Sequence, residues 1–335
     1  MRMDEQHVFG MKNESAYSKA SIQIWKINVP SQTIEIAFHY MHPFGSLFDL
    51  KWSPVIFDDY SGLGILACTF MDGSCRILQI PHPSLIKSKF LKHKTGTEIH
   101  LHMPSTMMWR CSWNSVNNLA IGCTNGHLAV FKFSFDNVLG QSLLFYTRVH
   151  DSSIRSLKWI DDGLIISGGN DGRLMVTSVQ SPWTPLQIHR SVGFINSVTG
   201  GKKIMAGTAL TSLAFVDSGK PHVKISTLES FSEFAELSNA STMYHTGMCR
   251  SIATSPCHPF ILSVSADGTM KIFNTNKIND RGKSKHVQLL ELKMEESTHI
   301  LTFNEETKVI DTQFKADKLV CPPIIETCGI HLVIV

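Results

Sequence analysis

The chain has 335 residues, 43% of them hydrophobic, and a formal net charge of only +3. That apolar fraction supports a full core and excludes a globally disordered chain. No apolar run approaches the roughly 18 residues of a membrane helix. The opening residues, Met1-Arg2-Met3-Asp4-Glu5-Gln6-His7, lack the apolar stretch of a signal peptide. The eight cysteines are therefore expected to be reduced, with Cys68, Cys75, Cys111 and Cys123 inside strand-like runs.

In chain order, the first element is a β-prone run at 21–27, read as the outer strand of a first repeat. Next come an inner-strand candidate at 47–52, an apolar run at 65–70, the turn Asp72-Gly73 and a second run at 75–80. Further inner strands are predicted at 108–113, 154–159, 194–198, 249–253 and 309–314. Turns return at Asn125-Gly126, Asp171-Gly172 and Asp267-Gly268, in steps of 53, 46 and 96 residues, the last near a doubled repeat. Ala209-Leu210 takes the turn position in the weaker copy at 203–217, and Cys328-Gly329 in the last copy, which ends at Val335. Such a period marks a β-propeller, whose sheets bury their faces only against one another. Asn-Gly and Asp-Gly predict two-residue hairpins with φ > 0 at both central positions.

The expected fold is therefore all-β: one seven-bladed β-propeller over 1–335, closed by pairing its first and last strands. Six inner strands are visible for seven outer ones, so blade one is expected to be incomplete or to continue upstream of Met1. Insertions are predicted between blades at 81–104, 134–149, 218–245 and 275–305. The third, with Leu228, Phe231, Phe234, Ala235 and Leu237 spaced among Glu229, Glu233 and Glu236, predicts a short acidic amphipathic helix, read first as covering a blade edge and second as docking a partner.

Charge is uneven. Residues 84–104 carry Lys87, Lys89, Lys92 and Lys94 against Glu98, and residues 276–286 carry Lys277, Arg281, Lys283 and Lys285 against Asp280. Both stretches interrupt the strand pattern and are predicted as basic loops on one face, joining one blade to the next. Their eight cations are candidate phosphate contacts, each releasing counterions on binding. Few aromatics interleave them, so base stacking is not expected. Trp183, between Pro182 and Pro185, is a candidate partner anchor in a connection between blades.

The chemistry of a catalyst is missing from the sequence. Cys-x-x-Cys does not occur, and Cys257-His258 is an isolated pair. There is no phosphate-binding Gly-Lys-Thr/Ser loop and no Gly-x-Ser-x-Gly elbow. No catalytic, metal or cofactor site is predicted, and Gly168-Gly169 reads as close strand packing. His150, near Asp151 and Ser152, is expected to hydrogen-bond within its blade rather than to form a triad.

Two resemblances add to this. His150, Ser167 and Asp171, and again His245, Ser263 and Asp267, stand where the WD-repeat family places a His before the inner strand, a Ser or Thr, and the turn Asp. Thr177 and Phe273 stand where that family has Trp, and no Trp-Asp dipeptide occurs. The pieces Phe48-Asp49-Leu50-Lys51-Trp52-Ser53-Pro54, Gly62-Leu63-Gly64-Ile65-Leu66-Ala67, Ile80-Pro81-His82-Pro83 and Gln180-Ser181-Pro182-Trp183-Thr184-Pro185 are similar to WD-repeat subunits of general transcription factor IIIC. The run from His150 to Trp159 is similar as well, the likeness covers roughly 45–275, and the family's long N-terminal extension is not matched.

This resemblance implies a noncatalytic nuclear scaffold. It would pair with a second propeller subunit and join the large DNA-binding subunit in recognising the B-box of tRNA genes for RNA polymerase III. DNA would be touched weakly or indirectly, and no membrane is involved. The rival is a general WD-repeat peptide-binding adaptor in a chromatin or ubiquitin-ligase complex. It would require a ring of Arg and aromatic residues on one central opening, which only a structure can show.

Overall fold

The computed structural model describes residues 20–28, 33–54, 62–94, 96, 98–134, 140–205, 208–217, 222–228, 242–254, 260–274, 286–295 and 298–303. Twenty-four strands and one short 3-10 turn make up the regular structure of these residues. They fall into six sheets.

The first sheet holds β1 (Ser21–Asn28), β2 (Thr33–Met41) and β6 (Phe90–Lys92), and the second holds β3 (Leu47–Trp52), β4 (Gly62–Phe70), β5 (Cys75–Pro81) and β7 (Glu98–Leu101). The third runs from β8 (Met108–Trp113) through β9 (Asn118–Cys123) and β10 (His127–Ser134) to β11 (Gly140–Arg148). In the fourth, β12 (Ile154–Trp159), β13 (Leu164–Gly169), β14 (Arg173–Ser178) and β15 (Leu186–Arg190) lie in order. The fifth repeats this with β16 (Ile195–Met205), β17 (Thr208–Asp217), β18 (His222–Leu228) and β19 (Thr242–Tyr244). The sixth has five strands: β20 (Cys249–Thr254), β21 (Phe260–Ser265), β22 (Thr269–Asn274), β23 (His286–Glu295) and β24 (Thr298–Phe303).

Side-chain alternation explains how the sheets stack. Successive strand residues point to opposite faces. In β4, Leu66, Cys68 and Phe70 pack with Phe38 and Tyr40 of the first sheet, while Ile65 and Ala67 pack with Met108 and Ile121 of the third. The same division recurs along the chain, so each neighbouring pair of sheets shares one apolar cluster. Second strands are buried on both faces, and this makes them read as continuous apolar runs. Emptying such a position is costly: Leu66→Ala, at a fully buried site, should cost about 2–5 kcal/mol. The first strands of the second to sixth sheets lie beside one another and form the inner wall.

Three expectations need correction. The runs following the Asp-Gly and Asn-Gly turns are third strands, not outermost ones. Apart from β15, the outermost strands β6, β7, β11, β19 and β24 lie in the stretches read as insertions, which also hold the third strand β18 and the fourth strand β23. β6, β7 and β19 are short and β11 is water-facing along most of its length, so they lack a strong apolar signal. The turns differ as well. Gly73, Gly126, Gly172 and Gly268 have φ from 74° to 84°, whereas the Asp or Asn before each is not at positive φ. Gly73 N–H donates to Phe70 O, and Phe70 N–H donates to Ser74 O, giving a three-residue loop with glycine at the left-handed position. At Gly126 a side chain is excluded twice over, because a Cβ would lie 2.2 Å from His150 O.

The expected inner strand at 309–314, the last copy at 324–335 and the proposed helix beyond Leu228 lie outside the described residues, and with them the closure of the ring.

Candidate functional site

The turn geometry leaves the Asp171 and Asp267 carboxylates free to hold the loops that enter the first strands of their own sheets. In the fourth sheet, Asp171 accepts the Arg173 and Asp151 N–H groups and lies 3.0 Å from His150 Nδ1. His150 Nε2 is 2.9 Å from Ser167 Oγ, and His150 and Ser167 are both buried. Burial pushes the Asp171 carboxyl up, but the His150 hydrogen bond and charge and the two N–H donors outweigh it, holding it at about 2. Gly169 makes room for the network, since a Cβ there would lie 2.4 Å from His150 Nδ1, while Gly168 admits the Ile195 side chain of the next sheet. Thr177, in the family's Trp position, is fully buried, and its Oγ1 has no hydrogen-bond partner.

In the sixth sheet, His245 Nε2 lies 2.7 Å from Ser263 Oγ, while Nδ1 pairs with Thr269 Oγ1 at 2.9 Å and stands 3.7 Å from Asp267. Asp267 accepts from the Thr269, Thr246 and Gly247 backbones. Burial opposes its charge, yet the Thr269 side-chain and backbone bonds and the Thr246 and Gly247 N–H groups hold it far below the usual carboxylate range. In both sheets His, Ser and Asp meet as blade fasteners with no access for a substrate to the buried imidazole. The second sheet departs from this pattern. Cys68 occupies the Ser position by register, and Asp72 is held by Ser74 and by Arg76 at 2.9 Å.

The basic stretch is not a simple loop. It leaves β5 at its end, turns at Pro83–Leu85 and pairs β6 in parallel with β2. It therefore joins the third and fourth strands of one sheet and laces that sheet to the one before. His93 fixes it: Nδ1 is 2.7 Å from Tyr40 Oη, and Nε2 is 3.2 Å from Glu98 Oε2, off the line of a hydrogen bond. Burial, then Glu98, pushes Tyr40 up to about 12, so its hydroxyl stays protonated. Beside it, burial, then His93 and Arg76, lowers His42 to about 4. Lys87, Lys89, Lys92 and Lys94 are all exposed on this ribbon. Lys277, Arg281, Lys283 and Lys285 lie outside the described residues, between β22 and β23, again the third and fourth strands of one sheet.

Trp183 is 69% exposed. It sits in the turn between β14 and β15, within a blade rather than between blades as expected. No helix among the described residues is long and apolar enough to cross a membrane, and no group of three or more His, Cys, Asp or Glu there could hold a metal.

Sequence reasoning missed one constellation. Each first strand from the second to the sixth sheet shifts register by one residue near its start, at Phe48, Trp109, Arg155, Asn196 and Arg250. A β-bulge re-aims the side chain it carries. Phe48 stacks on Trp109 at 5.5 Å, the Arg155 guanidinium lies 5.9 Å from the Trp109 ring and 4.3 Å from Phe194, and Asn196 Nδ2 donates to Arg250 O at 3.1 Å. Arg110 donates to Phe48 O at 2.8 Å and to Arg155 O at 2.6 Å. The result is an arc of arginines and aromatics over five blades, at the end of the sheets where the first strands begin. The Asp-Gly turns share that end, whereas Trp183 leaves from the other. The signal was the second residue of every inner strand, a column visible only once the strands are aligned.

Comparison with known proteins agrees with this architecture. The WD domain, G-beta repeat family matches residues 141–178 and 239–274. Over 282 residues the chain is 25% identical to "Transcription factor tau subunit sfc6" of Schizosaccharomyces pombe, covering 79% of this chain and 44% of that protein. The chain thus spans less than half the length of this relative. A chain in a crystal structure of the mitotic checkpoint complex shares the fold, with a TM-score of 0.50 and 16% identity over 76% of this chain and 71% of that one. Each matched stretch runs from the last strand of one sheet through the first three strands of the next and contains one of the two interlocked His, Ser and Asp sets, and the chain is an all-β propeller that carries WD repeats there and is similar over most of its length to a transcription factor tau subunit.

Proposed function

We propose that this chain is the propeller of a WD-repeat subunit of transcription factor IIIC, a noncatalytic nuclear scaffold that acts by assembly. One observation carries the reading. The likeness to the tau subunit extends over 282 residues, far beyond the two repeats that match the general family. Blade-forming rules alone account for His, Ser, Asp and turn glycines, but not for similarity across so much of the chain. In this role the propeller pairs with a second propeller subunit and with the large DNA-binding subunit, and supports B-box recognition at tRNA genes for RNA polymerase III.

The surface chemistry suits such a part. Trp183 offers a large exposed aromatic on a short turn, the residue type that anchors interfaces. The exposed lysines of the β6 ribbon can neutralise phosphates of DNA held by other subunits. Chromatin immunoprecipitation of the tagged chain tests the reading. Enrichment at tRNA genes is expected, and enrichment confined to other promoters, or none, would overturn it.

A further inference from the structure

The turn between β14 and β15 carries chemistry that the anchor role of Trp183 does not use. Trp183 stands between two hydroxyl–proline pairs, Ser181-Pro182 and Thr184-Pro185. Ser181 and Thr184 are both exposed, as Trp183 is. The described residues hold one other Ser-Pro pair, Ser53-Pro54, where the serine is only half-exposed and its N–H is tied to Ile65 O at 2.8 Å. Within the turn, the Ser181 N–H donates to Ser178 O, and the Thr184 N–H and hydroxyl both donate to Ser181 O, each at 3.3 Å. Bonds of that length are weak, so an incoming protein can draw Thr184 outward at little cost. The two pairs differ in one respect. Pro182 is buried, whereas Pro185 is half-buried and leads directly into β15.

We propose that Thr184 is a phosphorylation site for a proline-directed protein kinase, and that its phosphate releases the partner subunit anchored by Trp183. The Thr184 hydroxyl oxygen attacks the γ-phosphorus of the kinase's nucleoside triphosphate. A new O–P bond forms, the bond from that phosphorus to the bridging β-phosphate oxygen breaks, and the nucleoside diphosphate leaves. The hydroxyl proton passes to a carboxylate base of the kinase. Proline after the acceptor suits selection, because it presents no N–H for the kinase cleft to satisfy and keeps the preceding residue extended. Burial puts Pro182 out of a kinase's reach, which singles out Thr184 over Ser181. The product carries about −1.5 to −2 charges at neutral pH, one residue from the exposed indole. Docking that indole in an apolar pocket would then strip water from a phosphate, which is costly without arginines to meet it. On the chain's own side, the Val179 N–H ties the turn to Gly163 O, in a loop that carries Asp161 and Asp162 rather than cations. The phosphate gains nothing from that loop, so its effect falls on the docking face. The regulation rests on the reading of Trp183 as an anchor, whereas the acceptor site does not.

Incubation of the full chain with a purified cyclin-dependent kinase and magnesium ATP, followed by tandem mass spectrometry, tests the acceptor. Phosphate should appear on Thr184 in the wild type and in S181A, and P185A should lower its incorporation by about tenfold or more. No phosphate on Thr184 of the native chain, or equal incorporation in P185A, would overturn the site. Capture of the large DNA-binding subunit from nuclear extract tests the regulation, with wild type, W183A and T184A each immobilised before and after kinase treatment. Treatment should cut recovery on the wild type several-fold and leave T184A unchanged, and untreated W183A should match the phosphorylated wild type. Equal recovery by phosphorylated and untreated wild type, with W183A still impaired, would overturn the regulation and leave the anchor standing. Full recovery by W183A would overturn the anchor and with it the regulation, while the mass spectrum still decides the acceptor.

Discussion

Tyr40 Oη lies 2.7 Å from His93 Nδ1, and this contact fixes a ribbon from the second sheet onto the first. The His93 side chain is 3% exposed and also faces Glu98. Removing a buried partner leaves the other group unsatisfied, at about 1–3 kcal/mol. His93→Ala should therefore loosen β6. The Lys89 O that accepts from the His39 N–H should lose its hold, and hydrogen exchange at His39 should accelerate. Unchanged exchange there would show that strand pairing alone holds the ribbon.

The His150 network invites a paired comparison. His150→Ala strands Ser167 and Asp171 and should lower unfolding stability by about 1–3 kcal/mol in urea titration. Thr177→Val should be neutral or stabilising, because it removes a buried hydroxyl that has no partner. A larger loss from Thr177→Val than from His150→Ala would mean that the fourth blade is fastened elsewhere.

Acid should unlock the same blades. A carboxyl whose folded value is depressed contributes stability that is fully present above its ordinary value, near about 3.9, and is lost as pH falls through the folded value. For Asp171 that interval runs down to about 2. Thermal melting between these limits should fall steeply for the wild type. Asp171→Asn should be less stable at neutral pH and less sensitive to acid. An identical acid profile for the two chains would remove Asp171 from the explanation.

How much of this was legible follows from the physics of each part. The His150, Ser167 and Asp171 set was readable because its spacing is local and its side chains are specific. Second strands were readable because both faces are buried. β11 and β6 were not, since one is largely water-facing and the other is three residues paired far away in sequence. The Asp-Gly and Asn-Gly turns were located correctly but given the wrong geometry, because Asp171 uses its carboxylate to organise the turn and so needs no positive φ, whereas Ala209-Leu210, read as a turn, lies inside β17. The arginine arc was hidden because a bulge adds one residue and breaks the alternation that strand reading relies on.

DNA binding by the isolated chain should be weak and indifferent to sequence. Nonspecific affinities of basic proteins are commonly about 10⁻⁴–10⁻⁶ M, with a salt slope near 0.9 per phosphate neutralised. Replacing Lys87, Lys89, Lys92 and Lys94 with Glu should weaken binding of a labelled B-box duplex and flatten its salt slope. Pairing with a partner propeller should survive, since such contacts rest on apolar and aromatic cores. Tight binding by this chain alone, abolished by point changes in the B-box, would make it a reader rather than a scaffold.

Affinity purification of the tagged chain from nuclear extract tests the assembly function most directly. The other transcription factor IIIC subunits, including a second propeller and the large DNA-binding subunit, should be recovered in comparable amounts and should persist when DNA is digested. Recovery of histone or ubiquitin-ligase partners without any polymerase III factor would contradict it.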